Sequence, residues 1–124
     1  MPEILTENFQ FRYDSRYLQI ANNFGLGNLE DIDSLLHEYR VSVNENEVMP
    51  EFQKQRHYNF LNYVKKLLDY LYGNDRIDPE YLKVRILKSD KIVQRQWLIE
   101  LCDNIISNKI IRIFPQKTRV SKSV

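Results

Sequence analysis

Apolar side chains return every three to four residues along most of this chain, most fully in Glu51–Gly73, EFQKQRHYNFLNYVKKLLDYLYG. On a helical wheel Phe60, Val64, Leu67 and Leu71 form the middle of an apolar arc. Leu61, Leu68 and Tyr72 extend it on one side, and Tyr63 and Tyr70 on the other. Asn59, Asn62, Lys65, Lys66 and Asp69 make the opposite face. An arc of roughly 200° exceeds the roughly 100° stripe of a surface helix, which implies neighbours on two sides. This helix, about residues 51–72, is therefore expected at the centre of the fold. Pro50 suits its first turn, and Gly73-Asn74-Asp75 its end.

Upstream, Phe9, Phe11 and Tyr13 alternate with Gln10 and Arg12, the period of a strand. Asp14 or Ser15 can cap a short helix, RYLQIANNF, anchored by Leu18 and Ile20 and stopped at Gly25. Asn28 can cap the next helix, in which Leu29, Ile32, Leu35, Leu36, Tyr39 and Val43 gather into one stripe. Glu30, Asp31 and Asp33 sit where the helix dipole favours negative charge.

Downstream, Asp78-Pro79-Glu80 is a helix start. The following YLKVRILK alternates like a strand, but the start signal predicts a short helix. A last helix is predicted to begin at Ser89 or Asp90 and to run to Ser107, with an apolar edge of Ile92, Ile99 and Ile106 at heptad spacing. Arg95 falls inside that edge, out of pattern, where an unpaired guanidinium is costly. It is expected to reach solvent, to pair with an acid, or to lie at an interface. KIIRIFP is a brief β-prone run that can pair with residues 9–13, and QKTRVSKSV is a small basic tail.

These elements predict an all-α chain, an irregular bundle of four or five helices around the central one, with a minor two-stranded ribbon from the termini. Residues 1–116 are expected to form a single helical domain and residues 117–124 a flexible basic tail. At 124 residues a core can form without staples. Four prolines and three glycines fit long helices better than a many-turned sandwich, and eight tyrosines suit partly buried faces and contact surfaces.

Charge changes the picture more than composition does. Residues 1–80 hold 8 Lys/Arg against 14 Asp/Glu, a balance of −6, while residues 81–124 hold 10 against 3, a balance of +7. Such asymmetry fits an acidic or nucleic-acid partner for the basic end, or attraction between the two halves, within a chain or between copies. A single cysteine, Cys102, leaves no intramolecular disulfide and no cysteine-based zinc cluster. Met1-Pro-Glu-Ile does not open a signal peptide, and no apolar run approaches a membrane span. A soluble, cytoplasmic protein is expected, with no membrane contact.

Candidate chemistry is thin. Glycine-loop nucleotide motifs and HExxH are absent, and the two histidines, His37 and His57, lie twenty residues apart. The Arg-x(4–6)-His signature of the HEPN ribonucleases is absent: Pro50, Glu51 and Phe52 precede His57 at those places, and Glu30, Asp31 and Ile32 precede His37. His37 reads as a surface residue four places after Asp33, His57 as a core residue, and Cys102 as a buried thiol. No catalytic residue, cofactor, metal site or small-molecule substrate is indicated.

Two functional readings remain. The first is a small non-enzymatic adaptor or regulator that self-associates or binds a protein partner through Ile92, Arg95, Ile99 and Ile106. The alternative is nucleic-acid binding by the basic C-terminal half through Lys83, Arg85, Lys88, Lys91 and Arg112. A winged-helix-like reader fits poorly. The turn at Lys88–Asp90 lacks glycine, and Glu100 and Asp103 occupy the exposed face of the helix that would read DNA.

Overall fold

The computed structural model describes the backbone of residues 2–108 and the side chains of residues 13–108. All regular structure among the described residues is helical: α1 (Pro2–Leu26), α2 (Ile32–Asn44), α3 (Glu51–Leu71), α4 (Pro79–Lys88) and α5 (Arg95–Ile106). They fall into two compact units, Met1–Asn46 and Glu47–Val124.

The first unit is a hairpin of α1 and α2. Its core holds Tyr13, Ile20 and Phe24 from α1, Leu29 from the turn, and Ile32, Leu36, Tyr39 and Val43 from α2. Of the stripe expected on α2, Ile32, Leu36, Tyr39 and Val43 are the buried face, Leu35 is half-buried, and Leu29 precedes the helix, which starts after Asp31 rather than Asn28. Gly27, at φ +74°, ends α1: its N–H donates to the Phe24 carbonyl at 3.2 Å and the Asn28 N–H to the Asn23 carbonyl at 2.9 Å. This pair of bonds is a Schellman cap, which needs a left-handed residue where glycine carries no Cβ penalty.

Three expectations for this unit are corrected: the strand, the bounds of the first helix, and one of its anchors. Residues 9–13 are not a strand, because α1 runs through them without a break from Pro2. The helix does not begin at Asp14 or Ser15, and it ends at Leu26, one residue beyond Gly25. Three aromatics at period two mimic a strand, but Tyr13 is helical and packs its ring 5.6 Å from that of Tyr39. Tertiary packing here outweighs a local alternation. Leu18 is not an anchor: it is 51% exposed, whereas Ile20 is fully buried. The other half of the expected ribbon, KIIRIFP, and the 117–124 tail lie outside the described residues.

The second unit is built on α3, which receives both α4 and α5. His57, Phe60, Leu61, Val64, Leu67, Leu68 and Leu71 are its buried residues. Pro50 is the N-cap rather than the first helical residue. Gly73, at φ +109°, closes the helix with the same two-bond cap, Gly73 N–H to Tyr70 O at 2.9 Å and Asn74 N–H to Asp69 O at 3.1 Å. Asp78 then caps α4, its carboxylate accepting the Glu80 N–H at 3.0 Å with Pro79 at the first position. Residues 81–88 are helix, as the start signal predicts.

The last helix is shorter than expected. It begins at Arg95, not at Ser89 or Asp90, and Gln94 before it is left-handed at φ +57°. One local bond and one from α3 capture groups that a longer helix would need. Ser89 Oγ accepts the Lys91 N–H at 3.3 Å, and Asn59 of α3 donates to the Lys91 carbonyl at 2.8 Å. Ile92 is pulled into the core at 4% exposure. The heptad series Ile92, Ile99, Ile106 is therefore not one helix face, because its first member precedes the helix.

Candidate functional site

The four residues of the expected protein interface separate. Ile92 is buried in the 89–94 connection and Ile99 is half-buried, while Ile106 is exposed at the end of α5. Arg95 is exposed as the first residue of α5, and its guanidinium donates to the Ser89 carbonyl, closing the connection in front of its own helix. Its place outside the apolar pattern is explained by this local bond.

The basic residues behave differently. Lys83 turns to α5, with Nζ 2.6 Å from Asp103 Oδ1, and this bond holds its ammonium above the ordinary lysine range. Lys91 lies on the 89–94 connection, and Arg112 lies outside the described residues. Arg85 and Lys88 line one groove of about 820 Å³, with Lys66 of α3 and Arg76 of the α3–α4 turn. Among the residues lining that groove the only carboxylate is Asp78, which already accepts the Glu80 N–H. No described acidic residue pairs with Lys66, Arg76 or Lys88.

Each cation is placed by a structural reason. Lys66 is on the hydrophilic face that α3 must keep opposite its buried residues. Arg76 sits in the turn forced by the Gly73 cap, where its N–H donates to Asn74 Oδ1 at 3.1 Å. Burial of Leu82 and Ile86 fixes the roll of α4, which leaves Tyr81, Val84, Arg85 and Lys88 on the groove side. Arg85 Nη1 donates to Tyr81 Oη at 3.4 Å and its guanidinium lies 5.7 Å from the Tyr81 ring centroid. The phenols of Tyr81 and Tyr63 hold Arg85 above its ordinary range. Tyr81 stays 57% exposed.

Lys66, Arg76, Tyr63 and Tyr81 carried no local motif, so sequence reasoning did not single them out as site residues. The excess of tyrosine and the solvent-facing lysines of α3 were the signals available.

The groups with nucleophilic or acid–base chemistry lie elsewhere. His57 is buried, and desolvation, with the Arg56 charge adding to it, lowers its pKa to about 4. Burial pushes the Cys102 thiol up to about 11, which removes the thiolate that nucleophilic attack needs. His37 is exposed on α2. Among the described residues no three His, Cys, Asp or Glu side chains come together as a metal site, and no helix is long and apolar enough to cross a membrane.

Compared with known protein families, the chain matches none. No curated protein matches it either. Nor does any solved structure, and the functional reading rests on the geometry above.

Proposed function

We propose that this protein is a non-enzymatic binding module that takes a nucleic acid along the groove beside α4. The observation that carries this reading is the convergence of Lys66, Arg76, Arg85 and Lys88 on one groove with a single, already engaged carboxylate. Cations gathered without acidic partners repel one another and are relieved by an anion. The wider charge agrees: Glu47–Val124 holds 15 Lys/Arg against 9 Asp/Glu, whereas Met1–Asn46 holds 3 against 8. Phosphate contacts supply a salt-dependent affinity that requires no base-specific motif. The test is fluorescence anisotropy with labelled DNA and RNA across a salt series. Binding that weakens steeply with salt, and is lost in the triple variant Lys66→Glu, Arg76→Glu, Lys88→Glu, supports the module. Absence of binding at low salt removes it.

A second reading, a self-associating adaptor, draws on a different observation. Tyr81, Val84 and Leu87 expose 57%, 46% and 53% of their surface on the ten-residue α4. An exposed apolar strip of this kind fits a partner surface or a second copy. Sedimentation of wild type and of Leu87→Glu tests it: a monomer at high micromolar concentration, unchanged by the substitution, counts against self-association.

A further inference from the structure

We infer that the groove selects single-stranded over double-stranded nucleic acid, with Tyr81 as the platform on which an unpaired base stacks. This deepens the proposed function and rests on it. Three features of the groove lead there.

The first is spacing. Arg76 precedes α4 and Lys88 is its last residue. Ten helical residues rise about 15 Å, more than one phosphate group can bridge. The groove therefore offers charge to successive phosphates of a chain rather than to a lone anion.

The second is the aromatic surface between those charges. Tyr81 stands in the groove wall, more than half exposed, with Val84 one turn along at 46% exposure. A large aromatic exposed among cations faces a π surface or a sugar better than a phosphate. Every base has such a surface, but a duplex keeps its bases stacked inside and presents phosphates at its rim. Aromatic platforms interleaved with a cationic track are the means by which proteins hold single strands without reading sequence.

The third is preorganisation. Arg85 bonds the Tyr81 hydroxyl and lies beside its ring, in a groove wall that also carries Tyr63. The ring and the cation are thus positioned together before any ligand arrives, which reduces the ordering cost of binding. A guanidinium next to an aromatic plane can also stack on a base itself.

The experiment compares four probes at one salt concentration: a mixed-sequence single strand of about 12 nucleotides, within the range that single-strand binders cover, its abasic counterpart, the matching duplex, and a nucleoside monophosphate. The single strand is expected to bind at least about tenfold tighter than the other three. Tyr81→Phe keeps the π face and is expected to retain that affinity, while Tyr81→Ala loses about tenfold, in line with the loss of one stacked base. Unchanged circular dichroism verifies that truncating this exposed side chain leaves the fold intact. Equal affinity for the abasic strand or the duplex, or an unaffected Tyr81→Ala, overturns the inference while the groove remains a polyanion site. A monophosphate that binds as tightly as the strand overturns it in favour of a small-ligand site. Absence of binding to every probe removes the proposed function as well.

Discussion

Lys83 of α4 reaches Asp103 of α5 with 2.6 Å between Nζ and Oδ1, and so faces away from the cationic groove two residues further along the same helix. The separation is geometric. Leu82 and Ile86 are buried, and residues on one side of them meet α5 while those on the other meet the α3 groove. Lys83→Met is therefore expected to leave nucleic-acid affinity within about twofold of wild type, while Lys88→Met weakens it several-fold and lowers the salt slope by about one. Anisotropy titrations of the two variants at several salt concentrations decide the matter. Equal losses would mean that the groove is not where the ligand lies. Because the Lys83–Asp103 pair is partly exposed, its removal is expected to change stability little.

The two glycines at the end of α1 call for opposite responses to the same substitution. Gly25 is helical with open space around a built Cβ, so Gly25→Ala is expected to stabilise by about 0.5–1 kcal/mol. Gly27 also has open space, but at φ +74° an added Cβ meets its own backbone, and Gly27→Ala is expected to cost about 1 kcal/mol or more. Urea titration followed by circular dichroism measures both. A stabilising Gly27→Ala would rule out the Schellman cap described here.

The same region marks what the sequence could and could not reveal. Core positions on α2 and α3 were legible because burial of one face requires apolar residues at helical spacing, as Ile32, Leu36, Tyr39, Phe60, Val64 and Leu67 provide. Cap chemistry at Asp78-Pro79 was legible because it is local. The strand expected at residues 9–13 came from three alternating aromatics, of which Tyr13 packs against Tyr39, 26 residues further on, and short-range alternation carries no information about that contact. The start of α5 was misplaced for a similar reason: Asn59, 32 residues away, takes the Lys91 carbonyl. The groove was half legible. Arg85 and Lys88 stood in a visible basic run, but Lys66 and Arg76 join them only after α3 and α4 fold together.

His57 links stability to pH. Its pKa is near 4 in the folded protein against an ordinary value of about 6.5, because burial disfavours the charged ring and Arg56 adds repulsion. Between these values the unfolded chain takes up a proton that the folded chain refuses, so stability falls as pH drops from about 6.5 towards 4 and this contribution levels off below. The gap corresponds to at most about 3 kcal/mol. His57→Gln is expected to show a shallower decline over that window than wild type, whatever its absolute stability, in urea midpoints measured at half-unit steps. Parallel declines would show that His57 titrates normally in the folded chain. Titration of its imidazole resonance should show it still neutral at pH 5.

Tyr13 provides the last test, because its hydroxyl joins three points of the first unit. The Tyr13 hydroxyl donates to the Ser42 carbonyl at 3.2 Å and accepts from Asn46 Nδ2 at 3.2 Å, with Ser42 Oγ donating at 3.4 Å. The residue is 4% exposed and its ring lies 5.6 Å from Tyr39. Tyr13→Phe keeps the ring contact but removes the oxygen, and buried partners that lose a hydrogen bond without gaining water cost about 1–3 kcal/mol. Tyr13→Leu removes the ring contact as well and should cost more, with the difference reporting the aromatic pair at about 0.5–1.5 kcal/mol beyond area burial. Hydrogen exchange of the α2 amides locates the effect: protection should fall near Ser42 and Val43 in the Phe variant, and along more of α1 and α2 in the Leu variant. If Tyr13→Phe matched wild type in both stability and exchange, the hydroxyl would not be fastening the end of α2 to α1, and the hairpin would be held by its apolar stripe alone.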